Sequence, residues 1–180
     1  MRNLMLAGTA LALLAGWVFA QAEPDDKTAV DAAKTEQPSM VTAEAGSAGR
    51  FWVLRLKPGA DLRGELEAFV ERNHLQAAAV VTVVGSLDGA ALRFADMRET
   101  ALISGKLEIV SFTGTLGVNG VHLHMSVSDG SGRTVGGHVQ PGCKVRTTAE
   151  IVLVELSDLK FERSEDPLTG YRELFVHPRD

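Results

Sequence analysis

From Phe51 onward the apolar positions of the chain fall at two periods, and the places where one period gives way to the other mark out its elements. Phe51-Trp52-Val53-Leu54-Arg55-Leu56 reads as a strand closed by Pro58-Gly59. Leu62, Leu66, Phe69 and Val70 then fall on a single helical stripe, with Arg63, Glu65, Glu67, Glu71 and Arg72 outward and Asp61 placed as N-cap. Ala77 to Val84 is an unbroken valine-rich run, suited to a strand buried on both faces. Turns are expected at Gly85-Ser86-Leu87-Asp88-Gly89, with a further strand starting over Ala90 to Phe94, and again around Ser104-Gly105, leading into Leu107 to Thr115. After a turn at Val118-Asn119-Gly120, Val121, Leu123, Met125 and Val127 alternate strictly with His122, His124, Ser126 and Ser128, the mark of a half-buried strand. Thr147 to Leu156 is the last strong strand. The tail from Leu159 to Val176 mixes charge with Phe161, Tyr171, Leu174 and Phe175, as a segment packing across the domain or a neighbouring subunit would.

One early helix followed by turn-linked strands predicts an α+β domain with a mainly antiparallel β-sheet and one major helix. A single short helix cannot cover the long valine-rich strands, so subunits are expected to pack sheet on sheet in a closed oligomer.

The first 49 residues have a different character. A short basic start, an uncharged apolar run from Leu4 to Ala20 and the small-residue pattern Ala20-Gln21-Ala22 predict a signal peptide over 1–22, cleaved after Ala22. An uncleaved anchor helix is the rival reading, because the run approaches the lower limit for spanning a bilayer. Residues 23–49 are rich in Ala, Asp, Glu, Lys, Thr, Pro, Ser and Gly and are expected to form a disordered linker. The domain is expected over 50–180, and the mature protein to be exported, periplasmic or secreted, with no membrane attachment after cleavage.

Charge narrows the class of partner. The chain of 180 residues carries a net charge of -5, and from Arg50 onward 15 Lys and Arg stand against 17 Asp and Glu. No global basic field draws such a chain to nucleic acid. The single cysteine, Cys143, excludes an intrachain disulfide. Ser86 lacks the Gly-x-Ser-x-Gly setting of a hydrolase nucleophile, and the surrounding glycines lack the Lys of a phosphate loop, so no catalytic residue is assigned. His74 and His177 read as solvated residues at a helix end and in the tail.

The remaining three of the five histidines lie in one hairpin. His122 and His124 share a strand face, and the return strand carries Val135-Gly136-Gly137-His138. A two-residue loop at Gly130-Ser131 would place His138 opposite Leu123, on the apolar face. A three-residue loop, Gly130-Ser131-Gly132, would place it opposite His124. That loop wants a glycine in the left-handed position near its end, and Gly132 is there. The three-residue register therefore builds a three-histidine cluster with an open fourth coordination position, suited to zinc, with copper, nickel or iron as other candidates. Water, a small anion or a group from another subunit could fill that position. Glu108, Glu150, Cys143 and Ser86 are the candidate pocket neighbours. The plain alternative is a polar strand face whose histidines hydrogen-bond to Ser126, Ser128 and water.

Three stretches together resemble the plant and prokaryote conserved (PPC) domain family, which also supplies the second half of plant AT-hook nuclear proteins. They are Val53 to Leu62, Gly105 to Gly114, and the run through His122-Leu123-His124 to Val135-Gly136-Gly137-His138. The resemblance implies an α+β fold with a seven-stranded antiparallel sheet, assembly as a homotrimer, and, as in bacterial and archaeal members, zinc held at His122, His124 and His138. The family's frequent label as DNA-binding implies a regulatory role as an alternative. The chain departs from that label, because it has no Arg-Gly-Arg-Pro hook and begins with an export-like segment. A metal-free structural oligomer is the third reading.

Overall fold

The computed structural model describes Val41 and residues 43–180. The expected signal peptide and nearly all of the expected linker lie outside the described residues. Residues 43–48 have no regular secondary structure, but the chain is already tied down there. The Asp158 carboxylate accepts from the Ala48 backbone N–H at 2.7 Å, and the Ala48 carbonyl accepts from Ser157.

Eight strands and one helix follow: β1 (Gly49–Leu56), α1 (Leu62–Arg72), β2 (Ala78–Arg93), β3 (Ala101–Gly117), β4 (Gly120–Ser128), β5 (Thr134–Val139), β6 (Lys144–Leu156), β7 (Leu159–Glu165) and β8 (Arg172–Pro178). Six of the strands form one antiparallel sheet in the order β1-β6-β2-β3-β4-β5. The end of β2 also pairs with β5, through Leu92 opposite Val139 and Arg93 opposite His138, so that β2, β3, β4 and β5 close on themselves. β7 and β8 make a separate two-stranded sheet. The fold is the α+β arrangement expected, a mostly antiparallel sheet with one helix, although the sheet has six strands plus a hairpin instead of seven.

The helix forms where the apolar stripe predicts it. The Asp61 side chain accepts from the Gly64 N–H at 3.0 Å as an N-cap and from the Gly142 N–H at 2.6 Å, which fastens the helix start to the β5–β6 turn. Leu62, Leu66 and Val70 are buried against the sheet, while Phe69 meets Trp52 of β1 edge to face at 5.4 Å. At the C-terminus His74 adopts a left-handed conformation (φ 51°). Its N–H reaches the Glu71 carbonyl and that of Leu75 reaches Val70, a Schellman closure with histidine in the position glycine usually takes. The core continues through Leu87, Leu92, Leu116, Met125, Ile151 and Leu153.

Two expected turns are absent. β2 runs straight through Gly85 to Gly89, and β3 through Ser104-Gly105; the chain reverses instead over residues 94–100. Glycine serves here for close approach and bulging instead of reversal. A Cβ on Gly85 would stand 2.2 Å from the Thr148 carbonyl oxygen of β6, and the β2–β6 register shifts on both sides of that point. The valine run of β2 is also not buried on both faces. Val81 and Val84 are exposed, as are Phe51 and Val53 on β1 and Val110 on β3. The tail does pack across the domain: Leu159 and Phe161 of β7 bury themselves with Ala77, and Phe161 donates its N–H to the Gln76 carbonyl.

A close backbone approach lies beside the histidine strand. A Cβ on Gly114 of β3 would sit 2.1 Å from the His122 carbonyl oxygen, and its φ of +153° disfavours any side chain. Gly114→Ala should therefore lower unfolding stability by about 2 kcal/mol or more in urea denaturation. An unchanged midpoint would show that the two strands do not meet this closely.

Candidate metal centre

The site is made by the β4–β5 hairpin, and the turn decides its register. Asp129 organises that turn: its carboxylate accepts from the Ser131 N–H (2.8 Å) and hydroxyl (2.6 Å) and from the Arg133 N–H (3.1 Å) and Nε (3.0 Å). These bonds hold its carboxyl well below the usual carboxylate range. Gly132 is left-handed at φ +82°, the conformation the three-residue loop requires, and the Asp129 N–H donates to the Arg133 carbonyl. His124 consequently stands opposite His138, with Ser126 opposite Gly136 and Met125 opposite Gly137. On the other side of β4, Thr115 of β3 faces His122 and Thr113 faces His124. Leu123, Met125 and Val127 are buried, so the histidines are driven to the outer face.

The two glycines before His138 have a definite task. A Cβ on Gly136 would meet the Ser126 hydroxyl at 2.8 Å, and one on Gly137 would meet the Arg93 carbonyl oxygen at 2.7 Å. They let β5 lie tightly between β4 and the end of β2, which brings Arg93 opposite His138.

Three ring nitrogens converge at this point. His122 Nε2 lies 3.1 Å from His124 Nε2 and 3.3 Å from His138 Nδ1, and the last two are 2.9 Å apart. Nitrogens bound to one tetrahedral zinc ion at about 2.0–2.1 Å stand roughly 3.3 Å from each other. The triangle therefore has nearly the size a shared ion demands. Lone pairs packed this tightly repel unless a proton or a cation lies among them, and a single proton can serve only two of the three. Among the described residues these three histidines are the one group of potential ligands drawn so close together. The donor set, three imidazoles and no thiolate or carboxylate, suits zinc and leaves a coordination position open.

The surroundings favour the uncharged ligand form. Partial desolvation is the main cause that lowers the His122 pKa, followed by the neighbouring His124 and Arg163, while Glu173 acts in the opposite sense. His138 is lowered by desolvation first and then by Arg93. Neutral imidazole is the state that binds metal.

None of the four expected neighbours is at the site. Cys143 is fully buried at the β6 entrance, where its sulfur accepts from the Ala91 N–H at 3.3 Å; burial pushes its thiol up and makes it a poor ligand. Ser86 is buried and bonded to the Thr147 hydroxyl at 2.6 Å. Glu108 lies opposite Ser128, at the far end of β4 from His122, and Glu150 lies opposite Arg55 and Val84 in another part of the sheet. An open cavity of about 1000 Å³ adjoins His122 and His138 instead, and arginines dominate its charge, among them Arg93 and Arg163. Sequence reasoning missed these two. Arg93 ends β2, and Arg163 reaches the site only because β7 folds back to place a guanidinium N–H 2.7 Å from the Thr115 hydroxyl. The one signal for Arg93 was its position at the end of an apolar strand, which many solvated arginines share, and Arg163 sits within the charged run of β7 with no signal of its own.

Comparison with known proteins agrees with this architecture. The model of the Plants and Prokaryotes Conserved (PCC) domain matches residues 43–157. Two proteins named bifunctional protein GlmU, from two Synechococcus strains, are 51% identical over 127 residues and 48% identical over 129. These alignments take in 71% and 72% of this chain but only 20% of each relative, so the chain spans about a fifth of their length. A hypothetical protein from Salmonella cholerae-suis has a similar solved structure, with a TM-score of 0.74, 44% identity, and coverage of 76% of this chain and 99% of that one. A protein of Archaeoglobus fulgidus, described as metal-containing, aligns with a TM-score of 0.65 and 26% identity over 75% of this chain and 99% of that one.

Proposed function

The chain belongs to the Plants and Prokaryotes Conserved domain family, and we propose that it is an exported, trimeric member that binds one zinc ion per subunit through His122, His124 and His138. The observation that carries this reading is the triangle of ring nitrogens with sides of 2.9–3.3 Å. The description of the Archaeoglobus relative as metal-containing supports it. When bound, zinc supplies a Lewis-acidic position open to water or an anion. The histidines orient it, and the cavity beside them admits a small ligand. The activity of the GlmU relatives does not transfer, because four-fifths of each lies outside the match.

A DNA-binding role has less support. The chain is acidic from Arg50 onward and carries no AT-hook. Export rests on the pattern of residues 1–22, and association on the exposed apolar residues Phe51, Val53, Val81, Val84 and Val110, which a monomer would leave in water, with the trimeric order taken from the family resemblance.

Metal analysis of the purified full chain should give close to one zinc per subunit, and the double substitution His122→Ala, His124→Ala should lose it. Zinc at about a hundredfold excess over its dissociation constant should raise the stability of the stripped protein by roughly 2.7 kcal/mol. A metal-free wild type indifferent to zinc and chelator would sink the metal assignment. In sedimentation at micromolar concentrations the protein should run as a trimer, and a monomer would refute the assembly. Fusing residues 1–49 to a reporter active only outside the cytoplasm should give signal, whereas retention inside would revive the DNA-binding alternative.

A further inference from the structure

The strands carry an arginine on each flank of the histidine triad. Across the outer face the order is Arg93 on β2, His138 on β5, His124 and His122 on β4, and Thr115 on β3, with Arg163 from β7 bonded to Thr115. Residues directly opposite in antiparallel strands share a face, so Arg93 projects on the side of His138, and Thr115 with Arg163 on the side of His122.

Neither guanidinium is held in a direct ion pair, although Glu173 acts on Arg163 from a distance. Among the described residues, the side chains of Arg93 and Arg163 form no ion pair within 4.0 Å of a carboxylate; Arg93 donates to the Met97 carbonyl at 3.2 Å and Arg163 to the Thr115 hydroxyl at 2.7 Å. Both are partly buried. Each bond uses one corner of a five-donor fork and leaves the rest available. A partly buried guanidinium with no directly bonded carboxylate keeps charge and donors available to an incoming anion.

The same cavity also holds Arg98 and Arg172 against only Asp96 and Glu173. That local excess of positive charge runs against a chain of net charge -5. A concave basic site focuses field and concentrates anions. A volume of about 1000 Å³ suits a small molecule.

We propose that this cavity binds a small molecule bearing a phosphate or carboxylate group, held between the forks of Arg93 and Arg163 with one oxygen directed to the open position of the histidine site. The inference deepens the zinc reading and rests on it for that last contact. The two arginines are binding residues for the anion and play no part in holding the metal.

The test uses calorimetric titration of the zinc-loaded full chain with inorganic phosphate and, separately, with malonate. These two probes distinguish a phosphate from a carboxylate preference. Wild type should bind at least one of them with a dissociation constant in the millimolar range or tighter. The pair Arg93→Gln, Arg163→Gln should weaken binding at least tenfold while zinc content stays unchanged and the protein remains folded. Arg163→Lys alone, which keeps the charge and loses the fork, should bind better than Arg163→Gln alone and worse than wild type. If neither anion binds wild type, or the double variant binds as tightly, the anion site is overturned. If wild type proves to hold no zinc, the metal reading fails separately, and the same titrations on the metal-free protein decide the arginine site: arginine-dependent binding sustains it and its absence ends it.

Discussion

The convergence of the three histidines depends on the register of one hairpin. The side-chain period of a strand is two, so a slip of one residue between β4 and β5 would turn His138 toward Leu123 and into the core. Asp129 and Gly132 prevent that slip. The first gathers the Ser131 and Arg133 donors onto one carboxylate, and the second adopts the left-handed conformation that a three-residue loop requires. The burial of Leu123, Met125 and Val127 reinforces the choice, since the alternative register would set apolar and imidazole side chains against each other. Local turn chemistry and core packing thus select the same arrangement.

Close backbone approach then assembles the neighbours. Gly114 admits the His122 carbonyl, while Gly136 and Gly137 admit Ser126 and Arg93. These contacts draw β2, β3 and β5 around β4 and place arginines on both sides of the triad. Buried leucines support the site from beneath, and α1 packs on the sheet through Leu62, Leu66 and Val70.

The helix and the hairpin were legible in the sequence because each rests on short-range physics. The stripe of Leu62, Leu66 and Val70 has one period, the Asp61 cap one geometry, and the loop Gly130-Ser131-Gly132 one register in which Gly132 is useful. Gly85 and Gly105 misled for a physical reason: glycine permits both a reversal and a bulge, and only the partner strand decides which occurs. Val81 and Val84 carried no sign of which face would be covered. The β7–β8 hairpin was hidden by its charged residues, yet it delivers Arg163 to the site. Glu108, Glu150, Cys143 and Ser86 were plausible neighbours by residue type alone, and strand pairing carries them elsewhere.

The central claim is that three imidazoles share one ion. Anomalous diffraction from crystals of the native protein, recorded on both sides of the zinc absorption edge, tests it most directly. The account requires a single strong edge-dependent peak within bonding distance of His122 Nε2, His124 Nε2 and His138 Nδ1. Ordered histidines with no such peak, or a zinc ion bound elsewhere on the chain, would contradict it.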